Sequence, residues 1–231
     1  MTQSARDTSD DTTGGAVIGL LLASGFGRRF DAGGRRNKLL AHLPDGRTLV
    51  SASAHALCSA LEHVAVVVPA RGTLIEAALS DLPLRLIRNT RANEGIGASI
   101  AVGIAALRAD FPHARGWLIA LADMPFIAPA TIRSIAEALP VIDGKAAHDG
   151  TDRCTSAGPI VAAAYRGRRG HPVAFARSLG AELLMLDSDI GASRLLETHG
   201  VRLIDCDDPG VLRDIDTRDD LSRVALQSAL P

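Results

Sequence analysis

Short, wholly apolar runs that end at a turn residue, each followed by a segment of helical periodicity, restrict this chain more than any other feature. Residues 17–23 (Val-Ile-Gly-Leu-Leu-Leu-Ala) carry no polar side chain. A strand that is apolar on both faces must be covered on both faces, which belongs to a parallel sheet between helices rather than to a half-solvated hairpin. Further strands are read at 63–68, apolar after His63 and closed by Pro69, at 84–87, where Arg85 interrupts the run, and at 117–122, which ends in Asp123-Met124-Pro125. Helices are predicted between these strands: over 49–61, with Leu49, Ala52, Ala56, Leu57 and Ala60 on one face, over 74–79, over 98–107 after a turn at 94–97, and over 129–139 with Pro129 in the first turn. Strand–helix repetition predicts an α/β fold, a mostly parallel sheet with helices on both faces and right-handed connections. Ligands of such sheets bind beyond the carboxyl ends of the strands.

After residue 140 the pattern loosens. Residues 141–156 are polar and are read as a surface loop; 160–164 and 172–175 are read as strands around a basic turn. Helices are predicted over 181–186 and 192–199 and a last strand over 201–206. Residues 212–217 lead into a final helix, with Thr217 as its cap and Asp219 and Asp220 in its first turn. Residues 1–14, rich in Thr, Ser and Asp, are read as a disordered tail, and 15–231 as one domain. Only 3% of the chain is aromatic, so its core must be built from Ala, Leu, Val and Ile. A net charge of −1 and one Trp give neither the field nor the stacking surface of a nucleic-acid binder. No run of about 18 apolar residues spans a membrane. Cys58, Cys154 and Cys206 are far apart and odd in number, and are read as reduced thiols of a cytoplasmic protein.

Four places carry polar groups that suit chemistry. The first is Ser24-Gly25-Phe26-Gly27-Arg28-Arg29, directly after the first strand, with Lys38 further on. Gly25 and Gly27 permit a turn whose backbone N–H groups point at one anion, and Arg and Lys add positive charge suited to a triphosphate. The segment lacks the third glycine of the dinucleotide fingerprint and the Gly-Lys-Ser/Thr of a Walker loop. The alternative is a solvated basic loop. The second is Asp123, a carboxylate at the end of a very apolar strand. It is either a magnesium ligand working with substrate phosphates or a turn residue before Pro125. The third is Asp214-Ile215-Asp216-Thr217. In an extended segment both carboxylates face one way, as a second metal ligand requires; helix capping is the alternative. The fourth is the basic segment 166–172, in which Arg169 and His171 suit an anionic acceptor; a solvated hairpin tip is the alternative.

In order along the chain, LLASGFGRRF with NKLL, NEGIGASI, ALADMPFI, GRRGHPVAF, DSDIGASRLL and DIDTRDDL resemble the molybdenum cofactor cytidylyltransferases, over about residues 17–221. The resemblance implies a Rossmann-like nucleotidyltransferase fold with a mixed sheet. It implies transfer of CMP from CTP to the terminal phosphate of molybdenum cofactor (the molybdopterin form), with Mg2+ as cofactor and pyrophosphate as product. It further implies that Leu22, Ala23, Ser24, Gly25, Gly27, Arg28, Gly97 and Ser99 bind the nucleotide. Arg29, Lys38 and Asp123 are the implied catalytic residues, Asp123, Asp214 and Asp216 the metal ligands, and Arg169 and His171 the acceptor site. A molybdoenzyme or its chaperone is the implied transient partner. Two features depart from the family pattern: an insertion at 31–37 ahead of Lys38, and Ser24 where the cytidylyl branch has Ala and the guanylyl branch Gly. GTP in place of CTP, another phosphorylated acceptor, and a non-enzymatic cofactor carrier are the rival expectations.

Overall fold

A computed structural model describes residues 15–25, 30, 37–140, 158–187 and 191–228. The expectations for 1–14 and 141–156 lie outside the described residues, as does Cys154. The strands are β1 (Val17–Leu22), β2 (Val64–Pro69), β3 (Arg85–Asn89), β4 (Gly116–Leu121), β5 (Ile160–Tyr165), β6 (Arg168–Ala176) and β7 (Arg202–Asp205). The helices are α1 (Leu49–Cys58), α2 (Thr73–Ala77), α3 (Ile96–Asp110), α4 (Pro129–Ala138), α5 (Gly180–Leu184), α6 (Ser193–His199) and α7 (Arg218–Ser228). The strands form one sheet in the order β3-β2-β1-β4-β6-β5-β7. β6 is antiparallel to both its neighbours; the other pairings are parallel.

Every residue of β1 is buried, as its unbroken apolar run requires. Its side chains alternate between two cores. Leu21 joins Val66, Ala120 and Val161 under α1 and α4, through Ala54, Leu57, Ile132 and Ile135. Leu20 joins Val67, Ile119 and Ala162 under α3, α5 and α6, through Ile104, Leu183 and Leu195. Gly103 lets α3 lie close on the sheet, since a Cβ there would stand 2.7 Å from Leu20 Cδ2.

This topology positions the site. The chain runs outward from β1 through β2 to β3, then returns to pair β4 on the other side of β1. The carboxyl ends of β1 and β4 therefore flank the switch point, where an open α/β sheet leaves a crevice. The reversed strand β6 brings its amino end to the same edge: Ile119, near the end of β4, pairs with Val173, two residues after His171.

The basic turn is shorter than the expected span between 164 and 172. Arg166 and Gly167 both have positive φ, 51° and 73°, which makes a tight two-residue hairpin turn. β6 therefore begins at Arg168, with Arg168 opposite Tyr165 and Arg169 opposite Ala164. The ladder shifts register before Val173, where Pro172 has no N–H to give. The α3 helix also starts earlier than expected, at Ile96, because Gly95, with φ 106°, makes the turn and Gly97 is already helical.

The last segment is fastened by Asp208. Its Oδ2 accepts Ala128 N at 2.9 Å and Thr131 Oγ1 at 2.7 Å, and its Oδ1 accepts Gly210 N at 2.9 Å. One buried carboxylate thus caps α4 and ties residues 208–210 beside Phe126, whose carbonyl leaves no room for a side chain at Gly210. Asp208→Ala is expected to destabilise the fold by about 2 kcal/mol, the loss of a cap and of buried hydrogen bonds. Urea unfolding measures it, and a change within ~0.5 kcal/mol would contradict this role.

Candidate active site

Beyond the end of β1 the chain runs Ala23-Ser24-Gly25. Ala23 N donates to Val67 O, holding it in line with the sheet. Leu22 and Ala23 are core residues, so their side chains pack and only their backbone can serve a ligand. Gly25 is exposed, and a Cβ placed there would meet nothing within 4 Å, so the turn opens onto free space. Gly27, Arg28 and Arg29 lie outside the described residues. Phe30 is buried, with the Arg218 guanidinium over its ring at 5.9 Å.

Ser24 is buried and lies against Ser99, Oγ to Oγ 2.7 Å. Ser99 Oγ also accepts Asn89 Nδ2 at 3.0 Å, while Asn89 Oδ1 accepts Arg91 N at 2.7 Å, which fixes the amide's orientation. The ends of β1 and β3 and the start of α3 are thus joined by a buried polar network. Asn89, 1% exposed, was not singled out by the sequence, where an Asn after a strand reads as a turn residue.

The end of β4 carries Asp123. Ser53 Oγ donates to Ala122 O at 3.0 Å and Ile215 N donates to Asp123 O at 2.9 Å, so α1 and the last segment both pin this turn. Ile215 is fully buried. Thr217 and Asp220 form a reciprocal cap on α7: Asp220 Oδ2 accepts Thr217 N at 2.8 Å, and Asp220 N donates to Thr217 Oγ1 at 3.2 Å. Thr217 does the capping, and the Asp216 carboxylate turns inward instead.

Lys38 joins the two acids. Its Nζ donates to Asp123 Oδ2 at 2.7 Å and to Asp216 Oδ1 at 2.8 Å. Three segments distant in sequence meet at this ammonium, whose side chain is 9% exposed. Burial alone would lower the lysine pKa; the charges of Asp123 and Asp216 and their hydrogen bonds outweigh it, and the net shift is upward. Asp214 is exposed and joins neither Lys38 nor Asp123.

His171 stands on the same edge of the sheet. Its Nδ1 is buried with no partner. Burial lowers its pKa to about 4; the Asp123 charge opposes that shift and the Arg169 charge adds to it. The ring is therefore neutral near pH 7. Arg169 itself is exposed on β6. An imidazole whose folded pKa lies below its unfolded value costs stability as pH falls from about 6.5 to about 4. His171→Gln is expected to flatten that part of the stability–pH curve by a few kcal/mol. Urea midpoints at pH 4.5 and 7 measure it; an equal pH loss in both proteins contradicts the assignment.

The residues fit a divalent cation. Asp123 and Asp216 already converge on one positive centre, and Asp123 Oδ1 is buried without a partner. Among the described residues no three His, Cys, Asp or Glu side chains gather around one point. An ion held by two carboxylates has to complete its shell with water and substrate phosphates, as magnesium does.

The fold and this site define a nucleotidyltransferase. A family model described as the MobA-like NTP transferase domain matches residues 19–203, and the chain belongs to that family. It is 32% identical over 221 residues to the nicotine blue oxidoreductase of Paenarthrobacter nicotinovorans, covering 93% of this chain and 98% of that one. The crystal structure of Rv0371c from Mycobacterium tuberculosis H37Rv superposes with a TM-score of 0.72 at 26% identity, over 93% of this chain and 99% of that one. The same protein has been solved as a complex with manganese. A nucleotidyl transferase from Methanothermobacter (Mth528) matches with a TM-score of 0.70 at 26% identity, over 92% of this chain and 97% of that one.

Proposed function

We propose that this NTP transferase moves CMP from CTP to the terminal phosphate of molybdenum cofactor and releases pyrophosphate. The observation that carries the reading is the meeting of Asp123, Asp216 and Lys38 beside the opening after β1. A phosphate oxygen of the acceptor attacks the α-phosphorus, the bond to the β-phosphate's bridging oxygen breaks, and pyrophosphate leaves with that electron pair. The nucleophile is already anionic, so no general base is needed. Positioning and charge neutralisation carry the rate.

In this reading Asp123 and Asp216 hold Mg2+, with Asp214 outside the inner set. The ion, when bound, neutralises charge developing at the α-phosphate. Lys38 and Arg29 bind the departing phosphates. The backbone from Leu22 to Gly25, with Gly27 and Arg28, cradles the triphosphate. Ser24, Gly97 and Ser99 border the base and ribose. Arg169 and neutral His171 face the acceptor. The motif resemblance supports CTP and the pterin. GTP and other phosphorylated acceptors use the same centre with different pockets, and a pure carrier has no use for Asp123. No helix of the described residues is long and apolar enough to cross a membrane. The described thiols Cys58 and Cys206 are free, which suits a reducing cytoplasm and a transient encounter there with the receiving molybdoenzyme or its chaperone.

The relative named nicotine blue oxidoreductase supports a second reading, an oxidation–reduction. One thermal-shift panel separates the two. CTP, GTP, ATP and UTP with Mg2+ are compared with NADH and NADPH, since a ligand of the native state raises its melting temperature by mass action. The transferase reading expects the largest rise with CTP·Mg2+ and none with the dinucleotides. A rise with NADH or NADPH alone overturns it.

A further inference from the structure

We infer that Lys38 is the resident cation of the divalent-metal site. Asp123 and Asp216 keep its ammonium between them until a nucleoside triphosphate offers it another anion, and only then exchange it for a metal ion. The inference rests on the metal-dependent transferase reading above.

The geometry sets up a competition. Lys38 Nζ lies 2.7 Å from Asp123 Oδ2 and 2.8 Å from Asp216 Oδ1. A divalent ion held by these same two oxygens would take the place that the ammonium fills. The two cations cannot share it. A metal ion arriving alone would have to expel a nearly buried ammonium from the two carboxylates that hold it, which is costly. A triphosphate changes the balance, because it brings the ion and an anion for the lysine together. Metal and nucleotide then bind with positive coupling, and the coupling is reciprocal.

The surroundings permit motion of the side chain alone. The backbone at Lys38 is fixed: Asn37 Oδ1 accepts Leu39 N at 2.9 Å, and Ala41 N donates to Lys38 O at 3.0 Å. Leu49 N, at the start of α1, donates to Ala41 O at 3.0 Å, which ties the turn to the helix. The four-carbon stem is what can swing. Residue type points the same way. The chain has 25 Lys and Arg residues, and only Lys38 and Lys145 are lysines. An arginine fork would grip the carboxylates in fixed bidentate geometry, whereas an ammonium is a point charge on a flexible stem and can be released.

Two measurements test the exchange. In the first, free Mn2+ is titrated by electron paramagnetic resonance into wild-type protein and Lys38→Met without nucleotide. The variant is expected to bind Mn2+ about tenfold more tightly or better, as the typical size of such couplings indicates. Equal affinities overturn the exchange while leaving the transferase reading in place. If the variant, folded by circular dichroism, binds no Mn2+ at all, the carboxylates are no metal site and the transferase reading loses its metal. Removing a buried counter-ion also loosens the fold, so the second measurement uses the wild-type chain with 13C at lysine Cε. Two signals are expected, assigned with Lys145→Arg. Millimolar Mg2+ alone should leave the Lys38 signal in place, and Mg2+ with α,β-methylene CTP should move it. A shift with Mg2+ alone overturns the inference.

Discussion

Asp123→Asn is expected to lower turnover by about a thousandfold while the protein stays folded. The change keeps the shape of the side chain and removes one charge. Asp123 Oδ2 faces Lys38, whose ammonium keeps the Asp216 carboxylate when the charge at 123 is removed. The turn at Asp123 is held by backbone, through Ile215 N and the Ser53 hydroxyl. Pyrophosphate release from CTP measures the first effect and thermal melting the second. Wild-type rates in the folded variant would remove Asp123 from the chemistry.

Lys38→Ala is expected to fail in two separable ways. Transfer should fall about a hundredfold or more in kcat/KM, because charge on the departing phosphates goes unmatched. The nucleotide-free protein should also lose about 3 kcal/mol, since Asp123 and Asp216 lose the ammonium that both accept from. Divalent metal should restore most of that stability and little of the rate. Lys38→Arg should not rescue the rate, since a planar fork is not interchangeable with an ammonium between two carboxylates. Urea unfolding with and without Mg2+, beside initial rates, separates these outcomes. Full rate recovery by Lys38→Arg would mean that charge alone matters at this position.

Local pattern carried much of the architecture. β1 and β4 are readable because both faces are apolar, and Asp123 stands out as a charge at the end of such a run. Alternation alone does not separate Asp214 from Asp216; contact with Lys38 does. The extent of β6 was hidden because Arg168 and Arg169 are exposed strand residues with no apolar signature. Asp208 was hidden because the helix it caps begins about 80 residues earlier, with Ala128 N as its partner. Asn89 was hidden because Ser99, which accepts from its Nδ2, lies beyond a turn whose shape depends on Gly95. Long-range partners of single polar residues leave no periodic trace.

Asp123, Asp216 and Lys38 are proposed as the reaction centre of a nucleotidyl transfer. That role is tested most directly by α-32P label transfer from CTP to molybdenum cofactor, run with and without Mg2+ on wild-type protein and Asp123→Asn. Label is expected in the pterin product only with wild-type protein and metal. Equal labelling by Asp123→Asn, or labelling undiminished by chelation of the metal, would contradict it.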